Sequence, residues 1–248
     1  MELNGVFIHE HERVDDLNRN GLLLIQNPAR FCFGIDAVLL SGFAKVQKGE
    51  RVLDLCTGTG IVPILLSAKT EGEFFTGLEI DADIVEMARR SVRLNSLEAK
   101  VRIDCGDVKH FAGLYPLASF DVITANPPYI KHGGGIRNES YERAAARHEI
   151  LCTLDDVVLA AVRLLKTGGR FYMVHRPDRL PDVLCGLRAA GLEPKTLRVV
   201  HSYITKPPML ILIESIRGGK PFLKMPPPIV IYKDDGTYTE EAFDIYYN

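Results

Sequence analysis

The chain has 248 residues, 46% of them hydrophobic and 25% charged, with a net charge of −2. That length and composition suit one ordinary domain with a full core and exclude a largely disordered chain. The near-neutral balance gives no support either way for a nucleic-acid partner, and positive charge for one has to be local.

Residues 1–30 read as an N-terminal extension, and within it 21–26 is a short apolar run suited to a strand, closed by Asn27-Pro28. Ile35, Val38, Leu39 and Phe43 recur at helical spacing and predict a helix over 35–44. A strand-helix alternation follows. Strands are expected at 51–55, 74–80, 101–104 and 120–125, and helices at 61–69 and 83–95. Pro63 falls in the first turn of the 61–69 helix, where a missing N–H costs little. Ile84, Met87, Ala88, Val92 and Leu94 give the 83–95 helix an apolar face. A helix over 154–165 is expected to stop at Gly168-Gly169, before a strand at 170–174. A helix over 180–190 ends at Gly191. The strand signals 197–200 and 209–213 have no clear helix between them, which predicts a hairpin with one antiparallel strand. A strand at 229–232, a turn and a short terminal helix complete the chain. This order predicts an α/β fold whose mainly parallel sheet carries helices on both faces.

Other features narrow the class. The opening residues lack a basic stretch followed by an apolar run, and no apolar stretch is long enough to span a bilayer. The five cysteines are scattered, with no Cys-x-x-Cys pair, against a disulfide framework or a zinc site. A cytoplasmic, metal-free protein is the expectation.

Two segments carry chemistry. Asp54-Leu55-Cys56-Thr57-Gly58-Thr59-Gly60 lies between the first strand of the alternation and its helix. Glycines there let the backbone turn sharply and approach a ligand, and the helix start supplies free N–H groups. Ligands of open α/β sheets bind beyond the carboxyl ends of the strands. Acids end the first three strands: Asp54, Glu79 and Asp107. Glu79 suits a pair of ribose hydroxyls, and Asp107 suits an adenine amine. A dinucleotide fingerprint would need a glycine where Pro63 stands. An acidic first strand end suits a cationic, phosphate-free ligand such as S-adenosylmethionine.

The second segment, Asn126-Pro127-Pro128-Tyr129, follows an apolar strand and so belongs to the same sheet edge. An exocyclic adenine amine is a poor nucleophile because its lone pair is delocalised into the ring. Two acceptors on its N–H bonds, Asn126 Oδ1 and the Pro127 carbonyl, would favour a pyramidal nitrogen. The prolines stiffen the loop, and Tyr129 offers a stacking face worth about 1–3 kcal/mol. A strong general base is not needed, since the amine turns acidic only on gaining the methyl.

These segments, with Phe31-Cys32-Phe33-Gly34-Ile35-Asp36-Ala37-Val38-Leu39-Leu40, resemble the class I methyltransferases that carry an NPPY motif. Within them the chain is most similar to the bacterial tRNA1(Val) (adenine(37)-N6)-methyltransferase family. The family-level likeness leans on Phe31 to Leu40, on Ile229-Val230-Ile231-Tyr232 and on Asp235-Gly236-x-Tyr238-Thr239-Glu240. The resemblance implies a Rossmann-like, seven-stranded sheet with the last strand pair reversed. It implies that Asp54, Thr57, Gly58, Gly60, Glu79 and Asp107 hold S-adenosylmethionine, with Cys56, Ile80, Val108 and Asn126 among the cofactor contacts. Phe33 and Asp36 would lie near the methionine end of the cofactor, and Asn126, Pro127, Pro128 and Tyr129 would hold the base. Cys56 departs from the pattern, which more often has a small residue such as glycine there.

By this reading the methyltransferase domain spans 31–220 and a C-terminal extension 221–248. The partner is tRNA, and the protein is a monomer or weak dimer. Lys131, Arg137 and Arg147, with His132, Arg143 and His148, follow the base site and are candidates for RNA phosphates. Lys206, Arg217, Lys220 and Lys224 form a second basic group. The competing substrates are a protein glutamine, as on release factors, and an adenine in another RNA or in DNA. A glutamine amide poses the same chemical problem. Glutamine enzymes usually add a helical N-terminal domain, for which too few residues precede the first strand here. A non-catalytic binding module is opposed by the intact glycine turn and NPPY.

Overall fold

In the computed structural model, which describes residues 1–30, 32–127 and 152–247, two small antiparallel hairpins precede the main sheet. β1 (Glu2–Leu3) pairs with β2 (Val6–Phe7), and β3 (Arg13–Asp16) with β4 (Leu23–Gln26). Then come α1 (Ile35–Phe43), β5 (Arg51–Leu55), α2 (Ile61–Lys69), β6 (Phe74–Glu79), α3 (Ala82–Leu94) and β7 (Val101–Cys105). A 3-10 turn at Val108–His110 runs into the short α4 (Phe111–Leu114), followed by β8 (Phe120–Ala125). The remainder comprises α5 (Leu154–Leu164), β9 (Leu165–His175), α6 (Leu180–Ala190), β10 (Leu192–His201), β11 (Pro208–Arg217), β12 (Ile229–Val230) and α7 (Glu240–Tyr247).

The main sheet has eight strands in the order β12-β10-β11-β9-β8-β5-β6-β7. From β9 to β7 all neighbours are parallel, and β12 is parallel to β10. β11 is antiparallel to both β10 and β9, as the expected hairpin requires. The count corrects the seven-stranded expectation: the 229–232 run joins the sheet as a two-residue edge strand.

Residue alternation along the strands explains the two helical layers. Val52, Val122, Tyr172 and Val174 enter one core with α1, α2, α3 and Ala242 of α7. Leu53, Leu55, Ile123, Ala125, Phe171 and Met173 enter the opposite core with α5 and α6. Period-2 burial on both faces follows from successive side chains pointing to opposite sides of a strand.

The helix ends have local causes. Asp81 caps α3, its carboxylate accepting the Asp83 and Ile84 N–H groups at 3.0 and 3.2 Å. Thr153 and Asp156 form a reciprocal capping box at the start of α5. α5 does not stop at the expected glycines. It ends at Leu164, and Leu165 is already extended and pairs with Phe120. Gly168-Gly169 instead lies in an excursion of β9 between the partners of Phe120 and Val122. A Cβ at Gly169 would come within 2.8 Å of the Lys166 carbonyl.

The N-terminal hairpins dock on α3. Asn95 accepts the Leu23 N–H and donates to the Leu23 carbonyl, at 2.8 and 2.7 Å, and Ser91 Oγ accepts the Ile25 N–H at 3.0 Å. Arg90 Nη2 donates to Glu12 at 2.6 Å. Val6, Ile8, Ile25, Met87 and Leu94 close a small core beneath these bonds. Among the described residues no helix is long and apolar enough to cross a membrane.

Candidate active site

The site lies at the carboxyl ends of β5, β6, β7 and β8. Leu55 pairs with Ala125 across β5 and β8, so Cys56 and Asn126 leave neighbouring parallel strands at the same level. The glycine turn and the start of the Asn-Pro segment therefore share one edge. Asn126 is half-buried and Pro127 buried. Pro128, Tyr129, Lys131, His132, Arg137, Arg143, Arg147 and His148 lie outside the described residues.

The turn is held by its neighbours. The Thr57 N–H donates to the Leu78 carbonyl at 3.0 Å, and the Gly58 N–H donates to Glu79 Oε2 at 3.0 Å. Glu79 Oε1 accepts the N–H groups of Ile80 and Asp81 at 2.8 and 3.0 Å. Three backbone donors thus fix a buried carboxylate beside the turn. Gly58 has φ +55°, and a Cβ there would meet nothing within 4 Å, so its face is open to a ligand. Gly60 has φ +79° and begins α2, packed so close to Ile103 that a Cβ would lie 3.2 Å away.

Asp54 is 2% exposed and accepts a 2.6 Å hydrogen bond from the Thr124 hydroxyl. Burial pushes its pKa up to about 7, against the pull of the Thr124 and Thr57 hydroxyls, and nearby Glu79 adds to the rise. The Thr57 hydroxyl favours the carboxylate by proximity, without a hydrogen bond of good geometry. Its buried Oγ1 has no hydrogen-bond partner among the described residues. A buried carboxyl, an unsatisfied hydroxyl and an open glycine face fit a small ligand with a cationic end.

Asp107 follows β7 at the same edge, its Oδ1 accepting the Lys109 N–H at 2.9 Å, with Val108 buried behind it. Phe33 donates its N–H to Gln26 Oε1 at 2.9 Å, and Asp36 sits in the first turn of α1. Cys56 has φ +57°, a left-handed conformation that favours glycine. That conformation is the physical reason a glycine is more usual at this point. Its Sγ lies 3.7 Å from Cys152 Sγ. The Cys152 contact and burial, with Glu79 and Asp54 nearby, hold the Cys56 thiol well above its usual range.

Thr124 and Cys152 were not among the sequence candidates. Thr124 is the one hydroxyl in the apolar run 120–125, and that oddity was its signal. Cys152 had none, because its neighbour lies across the fold. Among the described residues no group of three or more His, Cys, Asp or Glu is placed to hold a metal ion.

A parallel sheet with a glycine turn after its central strand, acids at successive strand ends and one reversed strand defines a Rossmann-like methyltransferase fold. Comparison with known proteins narrows this. Residues 34–182 match the methyltransferase small domain family, and the chain belongs to that family. It is 28% identical over 180 residues to the tRNA1(Val) (adenine(37)-N6)-methyltransferase of Phocaeicola vulgatus, covering 73% of this chain and 74% of the relative. It is likewise 28% identical over 221 residues to the enzyme of that name from Haemophilus influenzae strain Rd, covering 89% and 91%. Among solved structures, a predicted O-methyltransferase from Agrobacterium tumefaciens aligns with a TM-score of 0.70 at 20% identity, covering 85% of this chain and 95% of that one.

Proposed function

We propose that the protein transfers the methyl group of S-adenosylmethionine to the N6 amine of an adenine in tRNA, adenine 37 of a valine tRNA by analogy with its named relatives. The observation that carries this reading is the pairing of Leu55 with Ala125, which sets Cys56 of the glycine turn beside Asn126. A tRNA substrate also implies a cytoplasmic protein. Residues 31–220 act as the catalytic domain, with 1–30 and 221–248 as extensions upon it.

When bound, S-adenosylmethionine supplies an electrophilic methyl on a sulfonium. Glu79, fixed by three N–H donors, keeps acceptor capacity for ribose hydroxyls. Asp107 takes the adenine end, with Ile80 and Val108 as apolar walls. Asp54 and Thr57 answer the cationic amino-acid end. A cation there favours the ionised Asp54 and lowers its raised pKa. Phe33 and Asp36 border that end.

Asn126 Oδ1 and the Pro127 carbonyl accept the two N–H bonds of the substrate amine and orient its lone pair. Catalysis is then positioning plus electrostatics. The proton leaves after methylation, when the nitrogen is acidic, so no buried base is required. Pro128, Tyr129, Lys131, Arg137 and Arg147 are assigned to the base and its phosphates from the sequence alone.

The test is incubation with labelled S-adenosylmethionine and, separately, unmodified total tRNA, release factor and DNA. Label in tRNA as N6-methyladenine is the expected result, and label in release factor alone overturns the reading. Asn126→Ala should lower kcat about 10²–10³-fold, with cofactor affinity little changed. Near-normal turnover would remove Asn126 from its role.

A further inference from the structure

The C-terminal signature, 229–232 with 235–240, has no part in the site above, yet its tyrosines form a row. Tyr203, in the turn between β10 and β11, has its ring centroid 5.4 Å from that of Tyr232. Tyr232 stacks on Tyr238 at 5.3 Å, and Tyr238 stacks on Tyr246 at 5.2 Å, with interplanar angles of 20° and 25°. At the inner end the Tyr246 phenol is pushed up by burial, and by the charges of Tyr238, Tyr232 and Asp36 of α1. Tyr232, Tyr238 and Tyr246 pack against the same core as Phe33 and Ile35.

The topology puts this row on the reaction side of the sheet. β10 is antiparallel to β11, which is antiparallel to β9, so β10 runs the same way as β8 and β5. β12 is parallel to β10. Tyr203 and Tyr232 therefore follow strand ends at the carboxyl edge, where Asn126 also stands.

We propose that this row is a stacking platform for the unpaired nucleotides that flank the target adenine, with Tyr203 as its outermost contact. This rests on the RNA reading above. A base turned out of a single-stranded loop leaves its neighbours without stacking partners, and aromatic faces accept any base. Tyrosine suits a half-wet surface because its ring is apolar and its hydroxyl stays hydrated. Exposed Lys206 and Lys233 lie close in sequence to Tyr203 and Tyr232, where they can meet phosphates. Asp235 of the same turn is already engaged by the Thr237 N–H and hydroxyl, at 2.9 and 2.6 Å. Tail anchoring alone gives no reason for the row to continue to Tyr203, which lies outside the tail beside exposed Ile204.

The experiment compares initial rates against unmodified tRNA and against S-adenosylmethionine for the wild type, Tyr203→Ala and Tyr203→Trp, with a melting curve for each. Tyr203→Ala should raise the KM for tRNA about ten-fold, the loss of roughly one stacked base. Its KM for S-adenosylmethionine and its melting temperature should stay at wild-type values, and Tyr203→Trp should restore tRNA binding. A wild-type KM for tRNA in Tyr203→Ala overturns the platform. So does a raised KM that appears only with a lowered melting temperature. A wild type that labels no tRNA overturns the functional reading itself, and the platform with it.

Discussion

Asp54 gives up most of its water on folding and receives one close hydroxyl in return. Its folded pKa of about 7 lies above the ordinary 3.8. The protonated form is therefore the one the fold favours. Asp54 costs nothing below about pH 4, and the penalty grows through pH 7 to roughly 4 kcal/mol. Asp54→Asn should raise the melting temperature more at pH 8 than at pH 4. The same change should weaken S-adenosylmethionine binding at least ten-fold by calorimetry, because the amide cannot answer a cation. Stabilisation of equal size at both pH values would contradict the buried charge. Cys56 holds a second local conflict, a side chain at φ +57°. Cys56→Gly should relieve about 1 kcal/mol of backbone strain, read as a higher urea midpoint at unchanged slope.

The N-terminal hairpins and α3 stand or fall together. Glu12 and Arg90 have side chains only 4% and 5% exposed and meet through two hydrogen bonds of 2.6 and 2.7 Å. Glu12→Ala leaves a buried guanidinium with Glu86 and the Phe7 carbonyl as its remaining partners. The expected cost is about 3 kcal/mol in urea unfolding, with cofactor affinity unaltered. α1, α2, α3 and the strands from β5 to β8 were legible in the sequence because their apolar period is carried by local residues. β1, β2 and β3 were not: they are very short, they are held by pairing with one another and with β4, and the Phe7 carbonyl of β2 is gripped by Arg90, 83 residues downstream. α5 was overextended for a related reason. The expected helix ran one residue too far and the strand at 170–174 began five residues late, because Leu165 is already extended and pairs with Phe120.

Across the whole molecule, two buried groups titrate with opposite consequences. His175 is buried and its pKa falls to about 4, from desolvation first and nearby Arg179 second. A histidine depressed below 6.5 contributes stability above that pH and loses it as the medium acidifies towards pH 4, by roughly 3 kcal/mol. Over the same range protonation of Asp54 relieves its penalty. The two effects nearly cancel between pH 6.5 and 5, so His175→Gln should make stability rise as the medium acidifies over that range, measured by urea unfolding at several pH values. The candidate cofactor residues Asp54, Gly58, Gly60, Glu79 and Asp107 were readable because they lie at or just past the carboxyl ends of β5, β6 and β7, whose apolar runs are local. The tyrosine row was not, since Tyr203 and Tyr246 are brought together only by β12 and the tail folding back.

That docking of β4 on α3 also sets a schedule for the nascent chain. Leu23 and Ile25 leave the ribosome well before Ser91 and Asn95 exist to receive their backbone groups. At ordinary elongation rates the wait lasts roughly 4–14 s. During it the apolar side of β4 waits without the cover that Met87 and Leu94 later provide.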